Sequence, residues 1–167
     1  VVLTHFKGHA MGGFGGALKN LSIGCASTNG KAYIHTAGKQ RVRQADTWAP
    51  ENLAGVDEFK DAMAEAAGAI VNYFGDNIVY INVVNNLSVD CDCDSHPAEP
   101  KMKDVGIVAS LDPVAIDQAC VDMIYALSPE DGAAMRERIE SRHGLHQLNA
   151  MRDQKMGNGQ YELISID

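Results

Sequence analysis

Two histidines and two cysteines are the residues of this chain best suited to binding a metal ion. His5 and His9 are separated by three residues, a spacing that lets two imidazoles face one ion on a helix or in a bent loop. Cys91 and Cys93 alternate with aspartates, so an extended chain places both sulfurs on one side and the carboxylates on the other. Thiolate with imidazole favours zinc or iron over magnesium or calcium. The pattern therefore predicts a metal site of these four residues.

Each motif also has a simpler explanation. The histidine pair lacks the glutamate of the zinc-protease motif, and Gly8 disfavours a regular helix between the two rings. His5 and His9 can therefore be hydrogen-bonded residues at a strand end, or an acid–base pair. Cys91 and Cys93 can belong to a solvated acidic loop. Carboxylates near a thiol disfavour its thiolate, and a bound cation would reverse that effect.

A glycine-rich segment before a short helix is the second candidate site. Gly13, Gly15 and Gly16 precede the predicted helix, and Lys19 lies in its first turn. Backbone N–H groups at such a junction can bind a phosphate or carboxylate, with the lysine adding charge. The segment matches neither the P-loop nor the dinucleotide-binding fingerprint, so close backbone packing is the alternative. Three nearby residues are candidates to support a ligand: Cys25, Asp90 and Asp117.

The apolar pattern predicts the elements that position these residues. Strands are predicted at 1–4, 78–84, 105–109 and 161–166. Helices are predicted at 17–23, 57–74 with Asp57 as N-cap, 113–127 after an Asp112 cap, 129–143 after a Ser128 cap, and 145–156. Residues 31–56 are expected to form an irregular excursion.

This alternation of strands and helices predicts an α/β fold with a mostly parallel β-sheet flanked by helices. The strands at 78–84 and 105–109 are apolar almost throughout, which favours burial on both faces. Ligands of such sheets bind beyond the carboxyl ends of the strands. The segments that leave those ends, 5–16, 85–96 and 110–117, contain most of the reactive residues.

Composition and charge restrict the class of protein. The 167 residues, 46% hydrophobic and 22% charged, suit a single α/β domain over residues 1–167. A net charge of −8 counts against nucleic acid and anionic membranes as partners, and no apolar run reaches the roughly 18 residues of a membrane span. Four unevenly spaced cysteines suit a reducing, cytoplasmic setting. Because the chain begins at Val1 without a signal pattern, we expect it to be the carboxyl-terminal part of a longer protein.

An ordered set of motifs resembles a widespread prokaryotic family, domain of unknown function 362, also described as uncharacterised Fe–S centre proteins. The motifs occupy 5–9, 13–20, 24–27, 90–93, 112–119, 144–148 and 161–164. Many members carry a ferredoxin-like insert whose cysteines would hold iron–sulfur clusters. Residues 31–56, at the insert position, contain no cysteine, so we expect no ferredoxin-type cluster in this chain. The resemblance also implies a long upstream α/β portion, but no catalytic residue.

Three functions follow from these patterns. The first is a metal- or redox-cofactor site of histidine and cysteine at the sheet edge, with zinc or iron and a small anionic ligand. The second is a non-catalytic structural or dimerisation module that exposes a large apolar surface, either for homo-oligomers or for upstream residues. The third is an anion- or nucleotide-binding enzyme that uses the glycine-rich loop without metal. No motif identifies a reaction.

Overall fold

The computed structural model describes residues 1–166, which contain a three-stranded sheet, a two-stranded hairpin and six helices. The strands are β1 Val2–His5, β2 Lys7–His9, β3 Gly13–Gly15, β4 Tyr80–Val84 and β5 Gly106–Ser110. The helices are α1 Ala17–Lys19, continued by a π-helical turn Asn20–Gly24, α2 Thr28–His35, α3 Val56–Phe74, α4 Pro113–Ala126, α5 Pro129–Ser141 and α6 His146–Asp153. The predicted α/β class is confirmed. None of the helices in residues 1–166 is long and apolar enough to cross a bilayer.

The sheet is only partly parallel. Its order is β1-β4-β5, with β1 parallel to β4 and β4 antiparallel to β5. A parallel return needs a long crossover connection, usually a helix. The connection between β4 and β5 contains no helix, so the chain comes back in the opposite direction.

Helices cover one face of this sheet in the described residues. Helix α4 packs on β4 and β5, where Tyr80, Asn82 and Val84 are buried. On the opposite face, Leu3 is 64% exposed and Ile107 is 67% exposed. The prediction that 105–109 is buried on both faces is therefore wrong. An apolar strand sequence does not show which of its faces another element covers.

Two predicted helix caps are confirmed. The Asp112 carboxylate accepts hydrogen bonds of 2.8 Å from the Val114 and Ala115 N–H groups at the start of α4. The Ser128 hydroxyl accepts one of 3.1 Å from the Asp131 N–H at the start of α5. These side chains satisfy amide groups that have no partner inside the helix.

The predicted N-cap of α3 is wrong by two residues. Gly55 is the N-cap, and its N–H donates to the Glu58 carboxylate at 3.2 Å. Asp57 lies in the first turn, where its charge suits the positive end of the helix dipole.

Two further predictions of secondary structure are wrong. Residues 31–56 are not irregular throughout, because α2 extends to His35 after an N-cap at Ser27, whose hydroxyl accepts from the Gly30 N–H at 3.1 Å. Residues 161–166 form no strand. The Tyr161 hydroxyl donates to the Asp122 carboxylate at 2.7 Å, which ties this segment to α4 rather than to a sheet edge.

A buried lysine connects α3 to the hairpin. Lys60 is fully buried, and its Nζ donates to the carbonyl oxygens of Val56 at 2.8 Å and of Met11 at 3.4 Å. Met11 lies in the turn between β2 and β3. Burial lowers the pKa of Lys60 to about 8, and the opposing effect of Asp57 is smaller. The unfolded lysine keeps its ordinary, higher pKa.

This difference predicts a pH dependence of stability. Between about pH 8 and about pH 10 the unfolded state binds more protons than the folded state, so the unfolding free energy contributed by Lys60 rises with pH. From pH 8 to pH 9.5, we expect wild type to gain about 1–2 kcal/mol relative to Lys60→Met in urea denaturation. The exposed Lys39→Met variant should follow the wild-type profile. Parallel pH profiles for wild type and Lys60→Met would contradict this expectation.

Candidate metal centre

The hairpin of β2 and β3 contacts the segment before Cys91 at very short range. The Gly8 N–H donates to the Ser88 carbonyl at 2.8 Å, and a Cβ on Gly8 would overlap the backbone of Val89. Only glycine allows this approach. The contact places His9, the last residue of β2, beside the loop that carries Cys91 and Cys93.

His9, Cys91 and Cys93 form the candidate metal centre. One ring nitrogen of His9 and the two sulfurs lie within 4.8 Å of one another, and the two sulfurs are 2.8 Å apart. His9 and Cys91 are buried, and Cys93 is exposed. The cysteines meet through a turn in which the Asp94 N–H donates to the Cys91 carbonyl at 2.9 Å. The extended, alternating backbone expected at 90–94 is therefore wrong, although it correctly placed the sulfurs together.

The environment keeps the His9 imidazole neutral. Burial, reinforced by the positive charge of Lys19 and weaker contributions from other basic groups, lowers the pKa of His9 to about 3. A neutral imidazole is the form that binds metal ions.

The His9 ring already has partners that a metal ion must displace. Nδ1 accepts hydrogen bonds from the Gly12 N–H at 2.9 Å and the Met11 N–H at 3.2 Å. While Nδ1 is an acceptor, the proton of the neutral ring lies on Nε2. A metal ion can therefore bind Nδ1 only by displacing the two amides, or Nε2 only if the ring proton moves to Nδ1, which can then no longer accept from them. Metal binding at His9 through either nitrogen must be accompanied by a change at the hairpin turn.

The two cysteines have different ionisation tendencies. Burial raises the pKa of Cys91, but hydrogen bonds from Cys93 and the positive charges of Lys19 and Lys7 outweigh it, so the net shift is downward. Burial and the neighbouring Cys91 sulfur raise the pKa of Cys93. Lys19 is itself buried, with its Nζ 3.7 Å from the Cys91 Sγ. Cys91 is therefore the sulfur that this site favours as a thiolate, with the Cys93 thiol donating to it.

The aspartates next to the two cysteines form ion pairs with basic side chains. Asp90 pairs with Arg138 at 3.0 Å, and Asp92 pairs with Lys7 at 2.9 Å. The crowding of thiols by carboxylates expected from the sequence is therefore offset. The roles of Lys7 and Arg138 are not apparent from the sequence, in which only the position of Lys7 between the two histidines gives a signal.

The structure does not bring His5 into the candidate metal centre. Its Nδ1 lies 3.0 Å from an Asp92 carboxylate oxygen, and its Nε2 lies 2.9 Å from the Asn85 carbonyl oxygen. Strand β1 ends at His5 and strand β2 of the hairpin begins at Lys7, so the two predicted histidines belong to different sheets. His5 instead helps to hold the loop through Asp92. Cys25 is exposed after the π-helical turn and lies outside the group.

The amides of the glycine-rich segment bind a carboxylate from the chain itself. The Ala17 N–H donates to Asp117 at 2.7 Å and the Leu18 N–H donates to it at 3.0 Å. The Asn82 side chain donates to the same carboxylate at 2.7 Å. A Cβ on Gly16 would overlap this carboxylate. The predicted anion pocket is thus occupied from within.

The other residues of that segment serve packing. Gly13 has a φ of +81°, and a Cβ there would contact the backbone of Gly144. A Cβ on Gly15 would contact the Lys19 side chain. Lys19 extends to Cys91 rather than to the amides at the start of α1. Close backbone packing, the alternative to anion binding, is what the structure shows.

The comparison with protein families gives one match. The model of the domain of unknown function DUF362 matches residues 1–122 of the 167. The chain belongs to the DUF362 family. The part that matches DUF362 includes the candidate metal centre and Asp117. Comparison with curated proteins and with solved structures gives no match.

Asp117 is expected to be important for stability. Burial raises its pKa to about 6 despite its three hydrogen bonds, so the group is a carboxylate at neutral pH. In Asp117→Asn, one of the two accepting oxygens becomes an NH₂ group, so at least one of the three donors loses its acceptor and faces another donor. We expect a loss of about 1–3 kcal/mol in unfolding free energy at pH 7, measured by urea denaturation.

Asp153→Asn is the matched control, because Asp153 is exposed at the end of α6 and its carboxylate forms no hydrogen bond or ion pair within residues 1–166. We expect its unfolding free energy to change by less than about 0.5 kcal/mol. Equal stability of the two variants would show that the buried carboxylate is dispensable.

Proposed function

We propose that this DUF362 chain binds a transition metal ion, zinc or iron, through His9, Cys91 and Cys93. The convergence of one imidazole and two sulfurs within 4.8 Å carries the proposal. Residues far apart in the sequence meet there, and the donor set is one that zinc and iron accept. The neutral state of His9 and the lowered pKa of Cys91 also favour ligation.

The charge around this group supports a small anionic ligand as the fourth donor. Three protein donors leave one position of a tetrahedral site open. Two thiolates balance a divalent ion, and the buried Lys19 then adds an uncompensated positive charge next to Cys91. A small anion or a water molecule fits this requirement. A metal-free anion site at the glycine-rich segment is less favoured, because Asp117 already binds the Ala17 and Leu18 amides.

Metal analysis of the purified protein tests the proposal. We expect near-stoichiometric zinc or iron in protein prepared anaerobically without chelator or histidine tag. Cys91→Ser and His9→Ala should each lower the affinity for added Zn²⁺ on the order of 100-fold, measured by competition with a chromophoric chelator. Zinc should also shift the NMR amide signals of Met11 and Gly12, since these groups contact His9.

Two variants are the controls. Cys25→Ser removes an exposed cysteine outside the group, and His146→Gln removes a histidine of α6 that pairs with Asp61 and also lies outside the group. Both should keep wild-type zinc affinity. Unchanged affinity in Cys91→Ser and His9→Ala, with folding verified by circular dichroism, would refute the proposed ligands.

The open face of the sheet favours a second candidate role, as a dimerisation surface. Leu3 and Ile107 are mostly exposed there, next to the half-buried Ile81 and Val83. Contiguous apolar surface of this kind is typical of protein interfaces. Because Leu3, Ile81, Val83 and Ile107 are all apolar and share this face, a second copy of the same face can pack against them.

Sedimentation equilibrium tests this role. We expect wild type to dimerise at micromolar concentrations and Ile107→Lys to be monomeric, because a lysine buried in the interface would lack a partner. Tyr73→Lys changes an 83% exposed residue on α3 and should still dimerise. A monomeric wild type at about 100 µM would contradict self-association.

A further inference from the structure

The same two sulfurs form an arrangement suited to a different chemistry. Cys91 Sγ and Cys93 Sγ are 2.8 Å apart, so a bond between them requires only a short movement within one turn. Cys93 is exposed and can meet a reagent from solution, whereas Cys91 is buried beside the Lys19 ammonium. The other two cysteines do not share this arrangement, since Cys25 is exposed at a different place and Cys120 lies in the core.

We infer that Cys91 and Cys93 are a site of reversible thiol–disulfide exchange with low-molecular-weight disulfides. The exposed Cys93 can react first with the small disulfide. The buried Cys91, held beside Lys19, can then close the bond between the two cysteines. The formation of the disulfide does not depend on the proposed metal. Its consequence for the metal rests on the proposed function, because oxidation removes two of the three donors.

The exchange proceeds in two consecutive steps. In the first step Cys93 Sγ passes its proton to Cys91 Sγ and attacks the small disulfide, forming a mixed disulfide and releasing one small thiolate. That thiolate takes up the proton from Cys91. In the second step the Cys91 thiolate attacks Cys93 Sγ, and the bond to the second small thiolate breaks. The two protein sulfurs lose two electrons, and the small disulfide gains them as it becomes one thiol and one thiolate, which water then protonates according to the pH.

Surrounding charges favour the second step. The Lys19 ammonium, 3.7 Å from Cys91 Sγ, stabilises the attacking thiolate. Asp90 and Asp92, the acidic neighbours in the sequence, are paired with Arg138 and Lys7 and so repel the thiolate less. Replacement of Lys19 by methionine should therefore slow disulfide closure at pH 7 by about tenfold.

The test uses metal-free protein in the Cys25→Ser background, which removes the other exposed thiol. After incubation with oxidised glutathione, free thiols are alkylated and the protein is analysed by intact mass and peptide mapping. We expect a Cys91–Cys93 disulfide that added reduced glutathione reverses. The Cys91→Ser variant should instead accumulate one glutathione adduct at Cys93, because the second step is blocked.

Two results would overturn the inference. The first is retention of both thiols in the folded protein under conditions that oxidise the urea-unfolded chain. The second is a stable glutathione adduct at Cys93 when Cys91 is present. Zinc titration of the reduced protein is measured separately, so that failure of the metal proposal and failure of the exchange site give different results. If both hold, the oxidised protein should lose zinc affinity to the level of Cys91→Ser.

Discussion

The buried carboxylate of Asp117 sets how α1, β4 and α4 fit together. It lies on α4 and accepts hydrogen bonds from the first amides of α1 and from Asn82 of β4, and so joins the three elements. A buried charge is costly unless hydrogen bonds compensate it. The compensation here requires α1 to begin at one defined place over the sheet. The absence of a side chain at Gly16 provides the necessary space.

This constraint extends to the candidate metal centre through Lys19. Because Asp117 fixes the start of α1, the lysine two residues after Ala17 is directed to the Cys91 sulfur. The amides at the start of α1 thus bind a carboxylate of the protein itself, Asp117, in place of an external anion. Lys19 contacts Cys91 instead. Helix α1 therefore takes part both in the packing of the fold and in the surroundings of the candidate metal centre. The basic groups that gather there explain how a chain with a net charge of −8 can maintain a locally positive pocket.

The elements that local interactions determine were the most predictable from the sequence. Asp112 and Ser128 mark helix starts because a short polar side chain next to proline satisfies free amides within a few residues. The start of α2 at Thr28, after the Ser27 N-cap, is not predictable in this way, because the residues after it show no clear apolar periodicity. The direction of β5 and the burial of its faces could not be predicted in this way, since both depend on elements far away in the sequence.

The amino-acid sequence shows which donors exist: two cysteines separated by one residue, and a histidine next to a glycine. Which of these donors meet depends on the tertiary fold. It combined His9 with the cysteines and turned His5 toward Asp92 and Asn85, because β1 and β2 enter different sheets. Metal ligation and thiol exchange both depend on distances of a few ångströms between atoms. The distance between the two sulfurs is set within one turn, whereas the approach of His9 to them arises from packing between remote segments, which no spacing along the chain encodes.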